Sequence, residues 1–186
     1  MTKLTKSTLT LAATAALLAA GPALADGKER QIALGKKLVT IAGCNDCHTP
    51  LKMGEHGPMP DLSRLLSGHP EQLAMPPAPK LPDGPWIATV GATMTAWSGP
   101  WGVSYTSNLT PDPETGLGRW TERQFVDTLR TGRHQGRGRQ LLPPMVSPAA
   151  FAEHTDAELG AIFAYLRSIP AVRNRVPEPQ PPLAAR

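Results

Sequence analysis

The sequence predicts an all-α domain of three main helices, with a long irregular insertion rich in proline and glycine between the first two. Three observations lead there. Apolar residues recur at helical spacing in three segments. Two of those segments begin with a reciprocal capping signature and the other stops at a glycine. The only two cysteines stand together with a histidine as one short motif directly after the first helix.

Composition narrows the class further. Of 186 residues 18% are charged and 5% aromatic, and 21 are proline, well above the typical ~5%. A coiled coil and a large aromatic core are excluded, and the glycines lack the three-residue period of collagen. Two cysteines cannot build a disulfide framework. A chain so rich in proline needs another staple for its small core.

Residues 1–25 read as a cleavable export signal. Lys3 and Lys6 form a positive start, Leu9 to Ala20 an apolar run, and Ala23-Leu24-Ala25 a small-x-small cleavage site before Asp26. The run is too short for the roughly 18 apolar residues of a membrane span. Export to the periplasm is the expectation. Past residue 25 the chain carries 17 basic and 15 acidic residues, too even a balance for a nucleic-acid binder.

The domain proper is expected over residues 26–176. Its first helix spans about Gly27 to Ala42, with Ile32, Gly35, Val39 and Ala42 on one stripe and Leu34, Leu38 and Ile41 beside it. Gly43 suits a left-handed cap and delivers the chain into Cys44-Asn45-Asp46-Cys47-His48. This is C-x-x-C-H, the attachment pattern of c-type haem. Two thiols at this spacing reach the two vinyl groups on one edge of a rigid macrocycle. The next residue presents an imidazole to the iron. A disulfide or a thioredoxin-like redox pair shares C-x-x-C, but no βαβ pattern surrounds it and His48 would go unexplained. A zinc site wants four ligands, and no second cysteine pair exists. The reading is one haem c, covalent through Cys44 and Cys47, with iron ligated by His48.

From Pro50 to Pro111, 62 residues hold eleven prolines and seven glycines, a linker-like composition. Yet Trp86, Trp97, Trp101, Met75 and Met94 also lie there. We read residues 50–107 as a mostly irregular insertion, with short helix or strand pieces, packed on the prosthetic group.

The second helix runs from about Glu122 to Arg130. Thr121 and Gln124 form a capping box, Trp120 and Phe125 stand at the staple positions, and Gly132 closes the end. The third runs from about Asp156 to Ser168, capped by Thr155 and Glu158, with Leu159, Ile162, Leu166 and Ile169 as its apolar face. Pro170 stops it, and residues 177–186 read as a Pro-rich extended tail.

Helix, C-x-x-C-H, loop, helix, methionine loop and terminal helix, in that order, resemble a class I cytochrome c. The resemblance implies the cytochrome c fold and sets Gly35 against Tyr165-Leu166, where a missing side chain lets two helices approach. Asn108-Leu109-Thr110-Pro111-Asp112, then Gly116, Trp120 and Thr-x-x-Gln-Phe, are similar to bacterial periplasmic cytochromes. Some of those are cytochrome subunits of membrane dehydrogenases, and they usually carry several haem motifs where this chain has one. Asn108 and Trp120 are then candidate haem-propionate or edge contacts, although turn and staple roles account for them as well. Asn108-Leu109-Thr110 also matches a glycosylation sequon.

The resemblance puts the distal ligand between the last two helices, where Met145 stands in Leu141-Leu142-Pro143-Pro144-Met145. Two prolines remove backbone freedom just before it. His134 is the main rival, and His56 and His69 are others; Met53, Met59, Met75 and Met94 read as core filler. Met/His ligation raises the reduction potential, whereas an open sixth position permits ligand binding.

Arg119, Arg123, Arg130, Arg133, Arg137 and Arg139 face only Glu122 and Asp127 over residues 119–139. They read as a positive rim steering a redox partner, or as helix-end and propionate charges. The functional expectation is a one-electron carrier between a dehydrogenase donor and an oxidase or cytochrome acceptor, not itself an enzyme. Any contact with a membrane would be peripheral, through such a partner. The alternatives are a haem enzyme or gas sensor with an open sixth site, and a permanent cytochrome subunit of a dehydrogenase.

Overall fold

A computed structural model describes residues 12–145, 148–180 and 182, with side chains from residue 26 onward. Among the described residues, helix α1 spans Ala12–Ile41, α2 Cys44–His48, α3 Glu122–Thr131 and α4 Asp156–Leu166. Five short strands intervene between α2 and α3: β1 (Leu51–Gly54), β2 (Gly57–Pro60), β3 (Thr89–Val90), β4 (Ala96–Gly99) and β5 (Gly102–Tyr105). The start of the expected export signal, with Lys3 and Lys6, lies outside the described residues. Residues 12–25 continue the backbone of α1. Among the described residues no helix is long and apolar enough to cross a membrane.

The core is a helical one. α1 packs on α4, and α3 on α4 and on the short 3-10 turn Pro148–Phe151. Gly35 makes the first contact possible: a Cβ there would collide with the Ala161 carbonyl and lie 2.8 Å from Tyr165 Cβ. Val39, Leu66, Leu117, Phe125, Leu129, Phe151, Leu159, Ile162 and Leu166 are buried together, each contributing about 1.5–3 kcal/mol of transfer free energy. Phe125 and Phe163 meet with ring centroids 5.3 Å apart. The two stripes expected on α1 are used in part: Val39 is buried and Leu38 packs against the core, while Leu34 and Ile41 are exposed. Both capping boxes form, Thr121 with Gln124 and Thr155 with Glu158, and each is worth about 1 kcal/mol.

The all-α expectation of three main helices is overturned: among the described residues there are four α-helices and five strands. All five strands lie in residues 50–107, in two antiparallel sheets, β1-β2 and β3-β4-β5. The same local device makes two hairpins. Gly54 pairs with Gly57 around Glu55-His56, and Gly99 pairs with Gly102 around Pro100-Trp101. Gly57 and Gly102 adopt φ of 116° and 96°, which a side chain would resist. Pro58 and Pro60 are tolerated because β2 is an edge strand.

The described part of the Pro-rich tail is tied down at Gln180. Gln180 exchanges two 2.8 Å backbone hydrogen bonds with Val103, lengthening the sheet at β5. Just before it, Asn174 is fully buried and uses its whole side-chain amide. Its Oδ1 accepts from Arg64 at 2.7 Å and from the Glu71 N–H at 2.8 Å. Its Nδ2 donates to the carbonyls of Ser67 (2.7 Å) and His69 (2.8 Å). One amide thereby closes the insertion onto the segment after α4. We expect Asn174→Ala to strand two carbonyls, an N–H and a guanidinium, and to cost about 3 kcal/mol in urea unfolding. An unchanged midpoint would show the hub to be dispensable.

Candidate functional site

Gly43, at φ 66°, ends the first helix and turns the chain into α2. Within one helical turn Cys44 and Cys47 stand at i and i+3, and His48 at i+4 from Cys44, so the three share a side of α2. Both cysteines are free thiols. Burial pushes the Cys44 thiol up to about 11 and also raises Cys47, with the Asp46 carboxylate adding to both. A thioredoxin-like pair needs the opposite shift, toward a thiolate. These are neutral thiols held one turn apart.

His48 is buried, and its Nδ1 lies 2.7 Å from the Ser107 carbonyl. A carbonyl can only accept, so Nδ1 carries the proton and Nε2 is the bare nitrogen. Burial lowers the imidazole pKa, which keeps the ring neutral. A neutral imidazole with one N–H tied to a carbonyl is how proteins orient a metal-ligating histidine. Gly68 secures the arrangement from the other side: its N–H donates to the His48 carbonyl at 2.8 Å. At φ 76°, a Cβ on Gly68 would sit 2.6 Å from the Ser107 carbonyl carbon.

The other candidates are scattered. His69 is fully buried with both nitrogens engaged: Nε2–H donates to the Leu73 carbonyl (2.9 Å) and Nδ1 accepts from the Thr95 hydroxyl (3.0 Å). It has no lone pair left for iron. His56 is exposed at the β1–β2 hairpin. His134 packs edge-on against Trp120 at 4.9 Å, so Trp120 is occupied there. Met53 and Met59 are exposed rather than core filler.

Met145 closes a turn through its N–H to the Leu142 carbonyl (3.2 Å) and is 36% exposed. No described contact joins it to α2, and the next two residues lie outside the described set. Asn108 is a structural residue. Its Nδ2 donates to the Val172 carbonyl (2.8 Å) and Thr115 (3.1 Å), while its Oδ1 accepts from the Thr110 hydroxyl (2.7 Å). So committed and buried, it offers nothing to a propionate or a glycan.

The arginines divide. Arg130 clamps the start of α4, donating to the Phe151 carbonyl (2.6 Å) and to Asp156 (2.8 Å). Arg123 pairs with Asp127 and Arg139 with Glu178. Arg119, Arg133 and Arg137 are exposed, and none makes an ion pair among the described residues.

Two neutral thiols and a tautomer-fixed imidazole on one helical turn are the donor set that a covalent haem requires. No group of three or more His, Cys, Asp or Glu that could hold a bare metal ion occurs among the described residues. The Ser107 carbonyl and Gly68 escaped the sequence reading. A backbone carbonyl has no sequence signature, and Gly68 is one glycine among seven in its stretch.

No family model matches the chain. It is 41% identical over 81 residues, 44% of its length, to a nicotinate dehydrogenase subunit of Pseudomonas putida. It is 34% identical over 90 residues, 47% of its length, to the cytochrome c subunit of the quinone alcohol dehydrogenase of Gluconobacter oxydans. It is 30% identical over 143 residues, 74% of its length, to the fructose dehydrogenase cytochrome subunit of Gluconobacter japonicus. The match covers only 7%, 18% and 22% of those relatives, respectively.

Burial lowers the His69 pKa below its ordinary 6.5. The unfolded chain therefore binds the extra proton first as pH falls, and stability declines below about pH 6.5. We expect urea unfolding midpoints at pH 7.5 and 5.5 to lie closer together in His69→Gln than in the parent protein. An equal spread would remove His69 from the acid response.

Proposed function

We propose that this chain is a c-type cytochrome acting as the electron-transfer subunit of a dehydrogenase complex. It would hold one haem c through Cys44 and Cys47, with His48 and Met145 as axial ligands. The observation that carries this reading is the buried, neutral His48, fixed by Ser107 with Nε2 bare inside C-x-x-C-H. Bound there, the iron porphyrin supplies a reversible one-electron couple. The protein's part is to keep the imidazole oriented, exclude water from it and offer a thioether at the sixth position. The chain itself transfers electrons and carries no substrate chemistry.

A permanent subunit is favoured over a free carrier on two grounds. Relatives of the chain are named as cytochrome subunits of dehydrogenases. The surface also suits lasting contact. Between Glu71 and Asp112 the only charges are Lys80 and Asp83, and Trp86 there is 77% exposed with Ile87 beside it at 67%. Apolar surface of this kind belongs to permanent interfaces. Arg119, Arg133 and Arg137 remain for steering a further redox partner. Export by residues 1–25 would put the assembly in the periplasm, with any membrane contact made by a partner.

The exported protein should carry haem on both cysteines. The Cys44→Ser/Cys47→Ser pair should lose the haem mass and the native near-UV ellipticity; haem retained at full occupancy would refute the attachment, and a haem-free but native-like spectrum would refute the dependence of the fold on haem. Purified from its natural host, the wild type should bring down a stoichiometric dehydrogenase subunit. Recovery alone, with full electron-transfer competence, would favour the free carrier. Ready binding of carbon monoxide to the reduced protein would favour an open sixth site.

A further inference from the structure

One extended stretch of chain touches the supports of both proposed axial residues. Ser104, in the middle of β5, donates from its buried hydroxyl to the Pro143 carbonyl at 2.5 Å, two residues before Met145. Three residues further on, the Ser107 carbonyl accepts from His48. Pro143 and Pro144 have no N–H, so the methionine loop can donate little of its own. Its front end is held by the Leu141 N–H on the Gly132 carbonyl (2.8 Å). Beyond that, Ser104 is the one side chain that hydrogen-bonds residues 142–145 among the described residues.

The brace itself is stiff. β5 pairs with β4 on one side, and Val103 pairs with Gln180 on the other. Next to Ser104, Tyr105 packs on the His69 ring at 4.9 Å, and the backbone N–H of His69 donates to the Thr106 carbonyl at 2.9 Å. The Leu109 N–H continues the ladder to the Leu66 carbonyl.

We propose that Ser104 is a positioning residue for Met145, and that β5 with residues 106 and 107 braces both axial positions at once. This rests on the haem reading above. The insertion then has a defined role, because its second sheet sets the methionine loop and the histidine in one frame. Losing the Ser104 hydroxyl should loosen the methionine side while leaving His48 tied to Ser107.

The test uses the exported holoprotein, with imidazole as a probe that competes for the sixth position. In Ser104→Ala the covalent haem should remain, the near-infrared sulfur-to-iron band should weaken, and imidazole should bind about 5–10-fold more tightly. Ser104→Thr keeps the hydroxyl and should stay within about twofold of the parent on the same reasoning. If Ser104→Ala is too unstable to isolate, the isosteric pair Ser104→Thr and Ser104→Val makes the same comparison. An unchanged band and imidazole affinity in Ser104→Ala, or Ser104→Thr behaving like Ser104→Ala, overturns the proposal. Met145→Ala separates the two levels. If it changes the band while Ser104→Ala does not, only the brace falls; if it too changes nothing, Met145 is no ligand and the axial assignment falls with it.

Discussion

The hydrogen bond from His48 to the Ser107 carbonyl is the contact on which the rest of the arrangement depends. It joins residues 59 apart in the chain, across the whole insertion. Without it the motif would be a five-residue helix with a freely turning imidazole. With it, the tautomer and ring orientation of His48 are fixed together, while burial keeps the ring neutral. The cost is that residues 50–107 must return to α2 in a defined path. Much of the remaining polar structure serves that return: Gly68 donates to the His48 carbonyl, and Leu109 donates to Leu66.

A chain with so few aromatic residues cannot hold such a path by apolar burial alone, and it uses buried amides instead. Asn174 satisfies four groups and Asn108 closes the turn over residues 110–115 against Val172. Each amide is fully partnered, the condition under which a buried polar group favours one structure rather than weakening it. Arg130 does the same for the junction between α3 and α4. The result is a helical core of ordinary apolar packing, joined to a strand-rich insertion by directional bonds. Directional bonds fix position more sharply than apolar contact does, and the proposed axial ligands would need position.

What could be read from the sequence follows from how local each signal is. The two capping boxes and the stop at Gly43 depend on residues within a few positions and stand as expected, while the close approach of Gly35 to α4, also observed, was reached through the resemblance. The strands were hidden by an average: eleven prolines and seven glycines over 62 residues look like linker. The two G-x-x-G hairpins, with glycines at the φ-positive corners, were the signal inside that average. Asn174, the Ser107 carbonyl and Ser104 act through partners 39 to 110 residues away, and nothing near them in the chain announces it. Of the candidate site, C-x-x-C-H was legible because its chemistry is packed into five residues. Met145 was reached only through resemblance.

The same contrast bears on what the domain works with. A freely diffusing carrier meets its partners by charge, and half of the arginine-rich segment is already committed: Arg130 to α4, Arg123 to Asp127, Arg139 to Glu178. What the insertion leaves bare is apolar, with Trp86 and Ile87 in a stretch of almost no charge. Long-range steering falls off within about a Debye length, ~8–10 Å, whereas an apolar contact needs no field and persists once made. An insertion that carries both the Ser107 carbonyl and the exposed Trp86 would couple the proposed redox site to whatever covers that tryptophan. A permanent neighbour would then shield the exposed indole and hold the donor-to-haem geometry constant, two requirements that a transient encounter meets only in passing.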